Sequence, residues 1–374
     1  MTYQEKYKKV VNKYPYAGIN TLLFKDGKTY TSNFGYQDIE KQVEISNDTI
    51  FRIASVSKVI IALGIMKLFE EGKIDIKEDI SKYLGYQVRN PHFPHTPITV
   101  EMIMTQTSSI SDGGDNVLGY DGVNGASVDV SLKDLLTNPK CEYYLDRTFR
   151  NVSPGSHWEY SNFGCGILAC IIEHVSGVYF SDYIRNNILL PLDIDGSFRV
   201  SDIIKKDKVA TLYVIDKDDN FFIPSRSLDS FLKAEYRRFS LGNNYRMPAG
   251  GLFISINDLS KIMKMMMNYG TYGDVKIYDR KTIEYMKEIH WEGISEDPQY
   301  KKKGLQLLIL DGYTKESLYG HFGCAYGLRS FMLFNDDIGM IFISNGADFH
   351  RNIERGITDM QHDTIEFMVN YSED

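Results

Sequence analysis

The run from Val56 to Glu71, VSKVIIALGIMKLFEE, is apolar on nearly every side. A helix of that composition has no face to offer water, so the fold must be built around it. Gly72 follows at once, the residue type that closes helices in the left-handed conformation. Three further helices are legible. One starts at Thr99, a capping residue with Glu101 in the first turn. Another is 163-FGCGILACIIEHVSG-177, and a third is 258-DLSKIMKMMMNYG-270, with Asp258 at its cap or in its first turn. The methionines of the third read as core filler.

Strand patterns stand at the two ends of the chain. Near the start, 18-GINTLLF-24 and 28-KTYTSNFG-35 flank Asp26-Gly27, a hairpin signal. Near the end come 305-LQLLILD-311, 328-LRSFMLFN-335 and 339-GMIFISN-345, with a turn at Asn335-Asp336-Asp337. A helical pattern over 351–370 closes the chain. Strands at both ends and helices between them predict an α+β fold. Its antiparallel β-sheet is completed late, flanked by terminal helices, with a mainly helical region inserted. The expected division is a sheet domain from 1–70 and 246–374 and a helical domain from 71–245, with the active site in the cleft between them. The polar, irregular segment 200–247 is expected to run over the surface and border that cleft.

With 374 residues and a net charge of −8, the chain lacks the basic surface that nucleic acid or an anionic membrane would require. Its Lys-rich runs, 205-KKDK-208 and 299-QYKKKG-304, are short and read as solvated loops. No apolar window approaches a membrane span. The first residues, MTYQEKYKKVVNKYPYAG, carry positive charge but no apolar leader segment. They predict a cytoplasmic protein, or a secreted or periplasmic one if a leader has been removed. Cys141, Cys165, Cys170 and Cys324 show no metal or disulfide spacing and read as small, buried, free thiols. His92 and His95 have His-x-x-His spacing but stand in a Pro-rich loop without a carboxylate at ligand spacing, so no metal is expected. His157, His174, His290, His350 and His362 form no grouping.

Candidate chemistry begins at the head of the apolar helix, in Ser55-Val56-Ser57-Lys58. A serine hydroxyl needs a base, and a lysine one helical turn later lies on the same face. Burial disfavours its ammonium form and lets it serve as that base. Taken alone, the pair could equally be a helix cap and a stray amine. Two other clusters bear on the choice. Tyr160-Ser161-Asn162 would set a phenol beside an amide, and 320-GHFGCAYG-327 offers small residues through which a backbone can approach closely.

In this order and separation, the clusters resemble the serine β-lactamase and penicillin-binding-protein superfamily, which includes class C β-lactamases, DD-peptidases and family VIII esterases. The first motif is Ser-x-x-Lys, the second Tyr-Ser-Asn, and the third a His-Phe-Gly form of the family's Lys-Thr-Gly box. Supporting stretches are 26-DGKTY-30, 34-FGYQD-38, 91-PHFPHTPIT-99, 154-PG-155 and 248-PAGGLFIS-255, so the likeness runs from about residue 15 to 345. The resemblance implies a β-lactamase/transpeptidase-like fold and these roles. Ser55 is acylated, Lys58 takes or relays its proton, and Tyr160 shares that work and returns a proton to the leaving group. Asn162 and His321 meet the substrate, and Gly323 and Cys324 belong to the oxyanion strand, with the N–H groups of Ser55 and Cys324 as donors. No metal or organic cofactor is implied.

Two departures touch substrate choice. His321 stands where many relatives have lysine, which weakens a fixed positive site for a substrate carboxylate. In 104-MTQTSSI-110, Gln106 and Ser109 replace the family's usual His and Gly, in a loop read as structural. The expected activity is hydrolysis of a small ester, amide or short peptide, as an esterase or D-amino-acid-type peptidase. The alternatives are a β-lactamase or DD-carboxypeptidase if a leader has been removed, or a non-catalytic sensor or binding domain. The acyl and leaving-group pockets are expected from 110–150 and 200–247. Oligomeric state is not legible.

Overall fold

A computed structural model describes residues 1–113, 119–126, 128–144, 148–216, 221–235, 239–295, 297–348 and 350–373, with side chains of 124–126 excepted. Parts of both expected pocket segments, 110–150 and 200–247, thus lie outside the described residues.

Among the described residues the main sheet has nine strands, every neighbouring pair antiparallel. Its order across the sheet is Trp291–Glu292, Lys302–Lys303, Leu308–Leu310, Leu318–Ala325, Leu328–Phe334, Ile338–Ser344, Gly18–Lys25, Lys28–Asp38 and Val43–Glu44. The N-terminal hairpin therefore pairs with the last strand, Ile19 opposite Ser344 and Leu23 opposite Met340. Asp26 and Gly27 both hold positive φ, as a tight hairpin turn requires.

Side chains alternate between two cores, because strand residues face opposite sides in turn. Ile19, Leu23, Phe331, Leu333, Met340 and Phe342 meet the terminal helices Tyr3–Val11 and Asp359–Asn370. Leu22, Met332, Phe334, Ile341 and Ile343 join the larger core, to which helices Ser57–Glu70, Asn162–Ser176 and Ile256–Met267 contribute. Helix Ser57–Glu70 is buried around almost its whole circumference, as its composition demands. Gly64 lets it meet its neighbours, since a Cβ there would come within 2.5 Å of Ile184 and 2.9 Å of Ile172.

Three expectations are corrected. The last helix begins at Asp359, not 351, because Gly356 holds φ +69° in a preceding turn and Thr358 with Gln361 forms a capping box. The strand expected from 305 begins at Leu308, since Gln306 holds φ +55°. Residues 320–325 lie within the strand Leu318–Ala325. The described parts of 200–247 are not wholly irregular: they contain a hairpin, Leu212–Ile215 with Phe222–Arg226, and a helix, Leu228–Glu235.

Candidate active site

The short strand Ile50–Arg52 leads through a 3-10 turn, Ala54–Val56, directly into the buried helix. Ala54 holds φ +51°. A residue with a Cβ adopts that conformation only where surrounding contacts enforce it. Ser57 is one of them: its hydroxyl donates to the Ala54 carbonyl (2.6 Å) and accepts from Leu252 N–H (3.1 Å). Ser57 thus braces the turn that presents Ser55.

Two predicted side chains converge on Ser55 Oγ, and a third, Asn162, reaches one of them. Tyr160 donates to Ser55 Oγ at 2.8 Å, and Lys58 Nζ stands 3.1 Å away. Lys58 also donates to Asn162 Oδ1 (2.8 Å) and the Ala249 carbonyl (2.9 Å). Burial pulls its pKa from 10.5 down to about 8. The same burial raises the Tyr160 phenol well above its ordinary range, so that hydroxyl keeps its proton.

Asn162 opens helix Asn162–Ser176, and Ser161 caps it by accepting from Gly164 N–H at 2.9 Å. Asp112 lies at the same helix end, unforeseen from sequence. Its carboxylate accepts from Ser161 Oγ (2.9 Å), Asn162 N (2.9 Å), Phe163 N (2.8 Å) and Asn162 Nδ2 (2.9 Å). A carboxylate is well placed at a helix N-terminus. By holding the amide nitrogen, Asp112 turns Asn162 Oδ1 toward Lys58. Asp112→Ala is expected to lower the acylation rate about tenfold, the scale of one lost charge-assisted hydrogen bond. An unchanged rate would remove Asp112 from this positioning role.

The strand Leu318–Ala325 presses against the Ser55 turn. A Cβ on Gly323 would lie 2.2 Å from Ser330 Oγ and 2.7 Å from the Ile53 carbonyl. The close approach is therefore to the protein's own backbone. Gly323→Ala should cost about 1–3 kcal/mol through overpacking and slow acylation too, measured by thermal unfolding and probe labelling. Full stability and rate together would show the contact to be slack.

His321 is not brought to the reacting serine. It is 1 % exposed, donates from Nδ1 to the Phe322 carbonyl (2.5 Å), and leaves Nε2 buried without a hydrogen-bond partner. Burial, with Lys303 and Lys58 nearby, holds its pKa well below the usual histidine value. The imidazole is neutral and does not line the cavity at Ser55. That cavity, of about 330 Å³, is lined by Ser55, Tyr160, Asn162, Cys324, Arg329 and Arg351 among others. Cys324 is exposed, contrary to the expectation for the four cysteines, and Arg329 donates to its sulfur. Both arginines escaped the sequence reading, since neither falls in a motif.

The 104–110 loop supports this site. Gln106 and Ser109 hold φ +64° and +65°. The Gln106 carbonyl accepts from Glu159 N–H (2.9 Å), the Thr107 carbonyl accepts from Gly155 N–H (2.7 Å), and Asn90 donates to Ser109 Oγ (2.9 Å). The loop thereby fixes the segment that leads into Tyr160. His92 and His95 are exposed, and no metal-binding cluster occurs among the described residues.

The Beta-lactamase family profile matches residues 4–360. The chain belongs to the Beta-lactamase family. Among curated relatives, Protein flp of Staphylococcus aureus (strain N315) is 30% identical over 183 residues, covering 47% of this chain and 33% of that protein. Penicillin-binding protein 4* of Bacillus subtilis (strain 168) is 30% identical over 177 residues, covering 46% of this chain and 36% of its own. The match thus spans about a third of each relative's length. An octameric penicillin-binding protein homologue from Pyrococcus abyssi superposes with TM-score 0.73 at 25% identity, over 96% of this chain and 74% of its own. D-amino acid amidase from Ochrobactrum anthropi SV3, complexed with D-phenylalanine, gives TM-score 0.72 at 20% identity over 98% of both chains. These likenesses bear out the α+β reading and the superfamily resemblance.

Proposed function

We propose that this chain is a serine hydrolase that cleaves a small ester or amide through an acyl-Ser55 intermediate. The observation that carries the reading is the set of contacts at Lys58 Nζ, which stands within hydrogen-bond reach of Ser55 Oγ, Asn162 Oδ1 and the Ala249 carbonyl. A neutral amine has two N–H donors and one lone pair. Asn162 Oδ1 and the Ala249 carbonyl take the donors, which leaves the lone pair for the Ser55 hydroxyl.

As Ser55 Oγ bonds to the substrate carbonyl carbon, its proton passes to Lys58. The backbone N–H groups of Ser55 and Cys324 face the oxyanion. Collapse breaks the bond to the leaving group, which takes a proton from Tyr160, and Tyr160 recovers one from Lys58. Water then attacks the acyl-enzyme by the same route and releases the acid. The amidase fold neighbours support an amide centred on a D-amino acid.

The test is labelling with a fluorophosphonate, followed by peptide mapping and turnover of aryl esters, a chromogenic cephalosporin and D-alanyl anilides. One adduct, on the peptide holding Ser55, is expected. No adduct, or one elsewhere, overturns the reading.

A further inference from the structure

A second cavity, of about 400 Å³, takes no part in the chemistry above. The pieces of chain that carry the candidate site also build this cavity. Arg52, on its wall, precedes Ser55 by three residues, which span at most about 11 Å. Tyr326, also on its wall, follows Cys324 by two residues. Arg52 Nε donates to the Gly250 carbonyl at 2.9 Å, next to the Ala249 carbonyl that holds Lys58.

The wall has two characters. Phe180 with Phe198 and Phe231 with Phe253 form edge-to-face pairs at 5.2 and 4.9 Å. The acids of the wall are already occupied. Glu173 accepts from Gly242 N–H, Asn244 Nδ2 and Phe180 N–H, and Glu235 from Arg199 and Ser201. Arg52 and Arg226 differ from these: among the described residues neither has a carboxylate partner. Both guanidinium groups lie against the ring of Tyr326, at 5.1 and 4.4 Å from its centroid.

Tyr326 is 39% exposed and holds φ +53°, and its carbonyl accepts from Ser225 Oγ at 2.7 Å. Strained backbone in a residue with a large side chain marks a conformation held in place by its surroundings. Burial pushes the phenol up, yet Arg52 and Arg226 together bring its pKa below the ordinary tyrosine value. The two arginines, which share the Tyr326 ring, therefore favour negative oxygen beside them. Apolar walls with two guanidinium groups that lack a carboxylate partner fit an apolar body that ends in an acid.

We infer that this cavity takes the acyl side of the substrate, as an apolar chain or ring ending in a carboxylate that Arg52 and Arg226 receive beside Tyr326. This deepens the acyl-Ser55 reading and rests on it. Binding is measured by calorimetry on the Ser55→Ala protein, which cannot turn the ligands over. The probes are mono-4-nitroanilides of straight-chain dicarboxylic acids from succinic to suberic, each paired with the 4-nitroanilide of the matching monocarboxylic acid.

At the best chain length the acid should bind about tenfold tighter than its neutral counterpart, and adding Arg226→Gln should bring the ratio to about twofold or less. A ratio near one at every length in Ser55→Ala overturns the inference. So does a preference that survives Arg226→Gln and is lost with Arg351→Gln, because the acid would then lie in the first cavity. Wild-type turnover of the same amides and of the ester panel is read separately. Its absence would count against the hydrolase reading, and the binding ratios would still decide the pocket.

Discussion

Ser55→Ala should abolish fluorophosphonate labelling and lower turnover at least about 10⁴-fold, as expected when a nucleophile is removed from a group that acts as a unit. Neighbouring hydroxyls offer no substitute. Ser57 has its proton committed to the Ala54 carbonyl, and the phenol of Tyr160 is held protonated by burial. The competing nucleophile in the same cavity is Cys324, exposed and beside Arg329. Burial raises its thiol pKa, although Arg329 and Arg351 pull the other way, so it should contribute little thiolate at neutral pH. Intact mass and peptide mapping separate the two. An adduct on Cys324 that is equally strong in both proteins would move the nucleophile to the sulfur.

Lys58→Met should slow acylation about 10²–10⁴-fold, the usual weight of a positioned acid–base group. The same substitution tests the pH dependence. A lysine with a pKa of about 8 is neutral roughly one-tenth of the time at pH 7, against about one in 3,000 at the ordinary 10.5. Wild-type acylation should therefore rise as pH climbs through about 8 and level off above it. Lys58→Met should lose that step as well as the rate.

Stability should rise with pH as well, over the window above that step. The folded-state pKa lies below the unfolded one, so between about 8 and 10.5 the unfolded chain holds more protons and stability rises with pH. Below that window, burial of the ammonium opposes folding in full. Methionine removes the charge, so the variant should unfold no earlier than wild type at pH 6. A variant that is inactive and also markedly less stable would point to a packing role for Lys58.

The sequence made the architecture legible where its signal was periodic. The unbroken apolar run forced a central helix, and the strand patterns at the two ends pointed to one antiparallel sheet completed late; the structure adds that the first hairpin pairs with the last strand. Boundaries were lost where backbone geometry decided them, as at Gly356 and at Gln306 with its positive φ. At the site, Ser55, Lys58, Tyr160 and Asn162 could be proposed because three short motifs recur in a known order. Asp112 could not, because its partners lie about fifty residues away and meet it only at a helix end. Arg329 was hidden by its position on a strand that reads as plain core. His321 shows the converse. Its motif position suggested a substrate contact, but strand alternation turns the ring inward, behind Tyr160.

The margins of the sheet also bear on how copies of this chain could associate. Strands only two residues long, Val43–Glu44 and Trp291–Glu292, close its two sides. The long strands are covered over only part of their length: Lys28–Asp38 meets its border strand at Tyr36 and Asp38 alone, and Leu318–Ala325 meets Leu308–Leu310 only from Leu318 to Gly320. Among the described residues, the remainder of each strand has no strand neighbour on that side, so its N–H and C=O groups form an edge that an extended segment can join.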